Sequence, residues 1–87
     1  MRIIVTGKVQ GVFFRAHAQD SAVKTGIKGW IRNLENGSVE IVAQGERENM
    51  EKFVNWCRRG PDSARVENVS AAKEHVAEKF TDFSVRD

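Results

Sequence analysis

Apolar residues in this chain recur at every second position, then at every third or fourth, and then run through the same alternation again, an order that few folds accept. The opening "RIIVTGKV" is rich in β-branched residues and ends at glycines, which predicts a strand from about Arg2 to Val9. From Phe14 the spacing lengthens to Phe14, Ala18 and Ala22, with Val23 adjacent, until Gly26 stops it, the pattern of a helix with a glycine just past its end. "KGWIRNL" reads as a second strand, "ENG" as a turn, and "SVEIVAQ" as a third strand with Val39, Ile41 and Ala43 on one face, so the pair forms a hairpin.

"ERENMEKFVNWCRR" then carries Met50, Phe53, Val54 and Cys57 at i, i+3, i+4 and i+7, one apolar stripe of an amphipathic helix. Glu46 and Glu48 fall in its first turn, Arg58 and Arg59 in its last, and Gly60-Pro61 ends it, all in agreement with the helix dipole and with capping preferences. A strand containing Val66 and Val69 follows, and "FTDFSVRD" alternates as a final strand. The stretch Ala71 to Lys79 fits either a prolonged strand or a polar turn.

The order is β-α-β-β-α-β with an extra C-terminal strand, which predicts an α+β, ferredoxin-like sandwich: an antiparallel sheet with two helices on one face, all in a single domain spanning residues 1–87. In that topology the first two strands run parallel. The end of strand one, the start of helix one and the end of strand two then share one edge of the sheet, and the loop Gly7 to Arg15 is expected to meet Asn33.

The balance of 14 basic against 12 acidic residues, a net charge of +2, shows no run or stripe of Lys and Arg, so a small anion is a better expected partner than nucleic acid. No run approaches the ~20 apolar residues needed to span a bilayer, and the N-terminal residues do not resemble a signal peptide, so a cytoplasmic protein with no membrane association is expected. The single cysteine, Cys57, precludes an internal disulfide and fits a reducing compartment.

The loop between strand one and helix one is "GKVQGVFFR", Gly7 to Arg15. Its glycines permit backbone angles closed to other residues, and the helix start supplies unpaired N–H groups at a positive dipole end, a combination able to cradle a phosphate. Arg15 adds a planar fork of donors that fits phosphate oxygens in bidentate fashion. An ordinary strand-to-helix turn with a solvated arginine has the same composition. Asn33 likewise reads two ways: as the side-chain cap of the following hairpin, or as a carboxamide holding a water in line with a bound phosphorus.

"VTGKVQGVFFR", Val5 to Arg15, and "GWIRNLENGSVEIVAQG", Gly29 to Gly45, resemble the two sequence motifs of the acylphosphatase family. The spacing from Arg15 to Asn33, the Gly26-Ile27 pair and "WCRRGPDSARV" are similar to the family's as well, so the resemblance covers essentially the whole chain. Ile31 stands where the family prefers a smaller residue and Thr25 where leucine is usual, departures that concern packing.

The resemblance implies an enzyme that hydrolyses acyl phosphates to carboxylate and inorganic phosphate. It implies that Arg15 and the backbone amides of Gln10, Gly11, Val12, Phe13, Phe14 and Arg15 bind the phosphate, and that Asn33 orients the attacking water. A monomer with no cofactor, whose partner is its small-molecule substrate, is expected. A carboxylate leaving group has a conjugate-acid pKa of roughly 4 to 5, so no general acid is required at neutral pH. Placement and charge stabilisation then suffice for the phosphoryl transfer.

The other candidates have plainer readings. His17 and His75 lack partners at ligand spacing, so no metal site is expected, and Cys57 on the helical stripe is a packing residue. Trp30 and Trp56 read as core or core-edge fillers, with the face of Trp30 left open. An RNA-recognition module has the same element order but needs base-stacking aromatics on its central strands, and "SVEIVAQ" has none. A metal-carrying module of this fold needs paired cysteines after strand one, which Gly7 to Arg15 lacks. A catalytically silent anion-binding or regulatory domain is the strongest alternative.

Overall fold

β1 (Arg2–Lys8) occupies the interior of a five-stranded sheet in the computed structural model, which describes Met1 to Arg86. The strand order is β4 (Arg65–Ala72), β1, β3 (Val39–Gln44), β2 (Lys28–Asn33), β5 (Phe83–Arg86). α1 (Phe14–Thr25) packs against β2 and β5, α2 (Arg47–Arg59) against β1 and β4, and the helices touch each other over one face of the sheet. The ferredoxin-like sandwich expected from the periodicity is therefore the observed architecture.

Alternation along each strand decides what the helices cover. Ile3 and Val5 of β1, Val39, Ile41 and Ala43 of β3, and Ile31 of β2 are completely buried against the helical layer. The helices answer with Phe14, Ala18 and Ala22 from α1 and the expected stripe of Met50, Phe53, Val54 and Cys57 from α2. The two alanines keep α1 close to the sheet. Phe14 fills the gap at its N-terminus against Trp56, with ring centroids 5.3 Å apart. Burial pushes the Cys57 thiol up to about 12, with Arg58 opposing the shift, so this cysteine is a neutral packing residue over the physiological range. Ile31 lies wholly in the core, while the Thr25 hydroxyl turns back to the Ser21 carbonyl at 2.7 Å.

The opposite face of the sheet mixes charged side chains with apolar ones such as the buried Val42. Glu40 joins Arg2 on one side and Arg32 on the other, at 2.6 Å to the Arg32 Nε. Trp30 lies on this face, with the Arg86 guanidinium 4.6 Å and the Arg32 guanidinium 5.4 Å from its ring centroid.

The C-terminal strand β5 pairs with β2 in parallel, whereas every other neighbouring pair is antiparallel. The path of the chain requires it. β4 runs down beside β1 and ends where Ala72 faces Arg2, so the segment 73–82 crosses at that end of the sheet and the next strand can only run up, alongside β2. The side chain of Gln44 holds the crossing segment through the Glu78 carbonyl and the Phe80 amide. Of the readings open for residues 71–79, β4 claims Ala71 and Ala72 and the rest is irregular. Glu46 precedes α2 as its N-cap and leaves Glu48 as the acidic residue of the first turn.

Candidate active site

Five chain segments end at one edge of the sandwich: the end of β1, the loop 9–13, the start of α1, the end of β2 and the end of β5. β1 prepares the loop with a bulge between Thr6 and Gly7 against β4. Gly7 has φ +125°, and a Cβ there would lie 2.1 Å from the Arg65 carbonyl oxygen, so both conformation and close approach demand glycine. Gly11, at φ +72°, has open space around it, and only its left-handed backbone requires glycine.

Phe13 also adopts the left-handed conformation, with φ 59° and ψ 23°, in the N-cap position of α1. Such a conformation is unfavourable for an aromatic residue. A serine, threonine or aspartate at that position normally satisfies the first helical amides, and here no side chain does. None of the backbone amides of Gln10 to Phe14 is bonded to another group among the described residues. The loop therefore collects unpaired donors at the positive end of α1. The burial of Phe14 on one side, and the hydrogen bond from the Ser63 hydroxyl to the Val12 carbonyl at 3.1 Å on the other, anchor it.

A pocket of about 460 Å³ opens over this loop. Arg15 and Asn33 both line it, together with Gln10, Gly11, Phe13 and Phe14, so the topology brings together the residues that the sequence singled out. Val12, in the same loop, turns inward and packs against the core. Arg15 donates from Nη1 to the Arg86 carbonyl at 2.9 Å, so the last described residue of β5 helps to hold the guanidinium at the pocket.

The carboxamide of Asn33 is placed differently. Its Oδ1 is buried and accepts no hydrogen bond from the described protein. The capping of the hairpin falls instead to Asn36, whose Oδ1 accepts from the Ser38 amide at 2.9 Å. The turn reading that Asn33 shared at the level of sequence thus belongs to a residue three positions on, and Asn33, a lining residue of the pocket, keeps a buried acceptor without a partner among the described residues.

Two contributions were not anticipated from sequence. The Gln10 side chain donates from Nε2 to the carbonyls of Leu34 at 2.7 Å and Ser38 at 2.8 Å, tying the amide loop to the hairpin that carries Asn33. The Arg86 carbonyl depends on the parallel placement of β5, which no local pattern specifies. His17 and His75 are exposed and outside the pocket, and no three His, Cys, Asp or Glu side chains cluster among the described residues. A larger hollow of about 800 Å³ runs beside α2, lined by Met1, Met50, Val54 and Lys73 among others, and contains neither Asn33 nor any residue from Gln10 to Arg15.

Fold and site together define a ferredoxin-like α+β domain whose pocket combines unpaired helix-start amides, an arginine and a buried carboxamide. The sequence model of the acylphosphatase family matches residues 1–85. An acylphosphatase of Pelotomaculum thermopropionicum is 45% identical over 83 residues, which cover 95% of this chain and 90% of that protein. Among solved structures, the acylphosphatase from Bacillus subtilis superposes with a TM-score of 0.94 at 36% identity, covering 99% of this chain and 96% of that one. The acylphosphatase from Coxiella burnetii gives 0.90 at 44% identity, covering 98% and 88%. The chain belongs to the acylphosphatase family.

Proposed function

We propose that the protein hydrolyses acyl phosphates to a carboxylate and inorganic phosphate at the pocket formed by Gln10 to Arg15 and Asn33. The observation that carries this reading is that Arg15 and Asn33, whose buried Oδ1 has no partner among the described residues, line one pocket beside the uncapped start of α1. Arg15 and the backbone amides of Gln10, Gly11, Val12, Phe13, Phe14 and Arg15 take the phosphoryl oxygens, and the helix dipole adds to their field. Asn33 accepts a hydrogen bond from a water and aligns its oxygen with phosphorus, opposite the acyl oxygen.

A new P–O bond then forms to the water oxygen as the bond from phosphorus to the acyl oxygen breaks. The carboxylate leaves without protonation because its conjugate acid has a pKa of roughly 4 to 5. A proton of the attacking water passes to a phosphoryl oxygen, and the products are one carboxylate and one inorganic phosphate. No Ser, Cys, His or Asp side chain lines the pocket among the described residues, so nothing there is suited to carry a covalent phosphoryl group.

The protein acts in this reading as a monomer of one domain, residues 1–87, in the cytoplasm, with a small acyl phosphate and its product anion as ligands and no nucleic acid. Among the described residues, no helix is long and apolar enough to cross a membrane. The test is release of phosphate from benzoyl phosphate by the purified protein with and without EDTA. Turnover indifferent to EDTA, with inorganic phosphate as a competitive inhibitor, is the expected outcome. Loss of turnover in EDTA with recovery on adding magnesium contradicts the mechanism, and absence of turnover in every condition contradicts the function.

A further inference from the structure

β3 couples β1 to β2 only as far as Val39, which faces Val5 on one side and Asn33 on the other. From Thr6 to Lys8, β1 pairs with β4 alone, and the loop 9–13 beyond it has left the sheet. The amide loop therefore projects past the last rung that ties its strand, through β3, to Asn33. Gln10 bridges the gap. Its Nε2 has two hydrogens, and both are spent on the hairpin, one on the Leu34 carbonyl at 2.7 Å and one on the Ser38 carbonyl at 2.8 Å. Among the described residues, no other hydrogen bond joins the loop 9–13 to the turn 34–38.

Neither partner needs this bridge for its own shape. The turn is closed by the Leu34 amide on the Ser38 carbonyl, the Gly37 amide on the Leu34 carbonyl and the Ser38 amide on the Asn36 carboxamide. The loop is anchored by the buried Val9 and Phe14 and by the Ser63 hydroxyl on the Val12 carbonyl. The Gln10 side chain is no part of the apolar core and gives up rotamer freedom to reach across, so its two hydrogen bonds do little more than offset its own ordering. What they add is a fixed relation between the loop and Asn33. The side chain is unsuited to hold an anion itself, because with both hydrogens committed it has only an acceptor oxygen left.

We infer that the Gln10 carboxamide is a positioning residue for hydrolysis, setting the distance and angle between a phosphoryl group on the amide loop and the water on Asn33. The inference rests on the acyl phosphate reading given above. In-line attack tolerates little error, and a displacement of about 1 Å costs up to about a hundredfold in rate. Loss of the bridge falls on kcat and acts through Asn33. Phosphate, held by the loop amides and Arg15, does not sense it.

The experiment measures kcat for benzoyl phosphate and the inhibition constant of inorganic phosphate in two variants. Gln10→Met keeps the length of the side chain and loses both donors, and Gln10→Asn keeps the amide but stops one methylene short. Both substitutions are also made in Asn33→Ala, and folding is checked by circular dichroism and thermal melting. Each is expected to lower kcat about tenfold or more with the inhibition constant changed less than about twofold, and to change kcat less than about twofold where Asn33 is already alanine. Unchanged kcat, phosphate binding lost in proportion to kcat, or an equal loss of kcat in the Asn33→Ala background overturns the inference, as does failure of both variants to fold. Wild-type protein that releases no phosphate from benzoyl phosphate overturns the functional reading itself.

Discussion

At the scale of single residues, the proposed mechanism divides the site's tasks between charge and placement. In it Arg15 meets phosphoryl charge in both ground and transition states, so Arg15→Ala is expected to weaken phosphate inhibition and lower kcat together. Arg15→Lys is expected to recover little, because an ammonium does not reproduce the planar fork that binds oxygens while also reaching the Arg86 carbonyl. Inhibition constants for inorganic phosphate and kcat in the same preparations check this. Cys57 is assigned to packing. Cys57→Ser is expected to cost ~1 to 2 kcal/mol in urea denaturation, by burying a hydroxyl, with kcat of the folded protein nearly intact. The raised thiol pKa sets a sign as well. The unfolded thiol ionises above pH ~8.5 and the folded one only near 12, so above that lower value the unfolded state binds fewer protons and stability falls as pH rises. Cys57→Ala is expected to lack this component, on the order of 1 kcal/mol per pH unit. Parallel denaturation series at pH 8 and 10 measure the difference.

At the scale of elements, the contrast between what local pattern specifies and what it does not is sharp. α2 was legible to its last apolar residue because Met50, Phe53, Val54 and Cys57 share one face and charges of the appropriate sign mark both ends. β3 was legible on one face only. The alternation identified Val39, Ile41 and Ala43, whereas Glu40 is also buried, because Arg2 and Arg32 from adjacent strands close over it. Residues 73–82 were illegible because hydrogen bonds between main chain and the distant Gln44 side chain hold them, not an apolar period. β5 is the element through which this matters for function. Phe83 is buried edge-on to Phe53, at 5.8 Å between centroids, and the Gln19 side chain donates to its carbonyl at 2.9 Å. Phe83→Ala is expected to lower stability by about 3 kcal/mol or more. It is also expected to reduce kcat in the folded fraction, because loosening β5 withdraws the Arg86 carbonyl from Arg15. Urea denaturation followed by assay under fully native conditions separates the two effects.

At the scale of the whole molecule, the sandwich turns distant sequence into one pocket. Arg15 and Asn33 could be brought together on paper because β1 and β2 each pair antiparallel with β3 and so run parallel to each other, a consequence of topology and not of spacing. The same topology could not reveal that Asn36 rather than Asn33 caps the hairpin, nor that Gln10 reaches across to Leu34 and Ser38, since both depend on side-chain direction within a loop. The central claim is that Asn33 serves the water while the loop and Arg15 serve the phosphate, and substitution of Asn33 tests it most directly. In Asn33→Ala, shown to be folded by circular dichroism and thermal melting, kcat for benzoyl phosphate is predicted to fall about a thousandfold, on the order of 4 kcal/mol in barrier, while the inhibition constant of inorganic phosphate stays nearly unchanged. A folded Asn33→Ala protein with near-normal kcat, or one that loses phosphate binding in proportion to kcat, contradicts that division of labour.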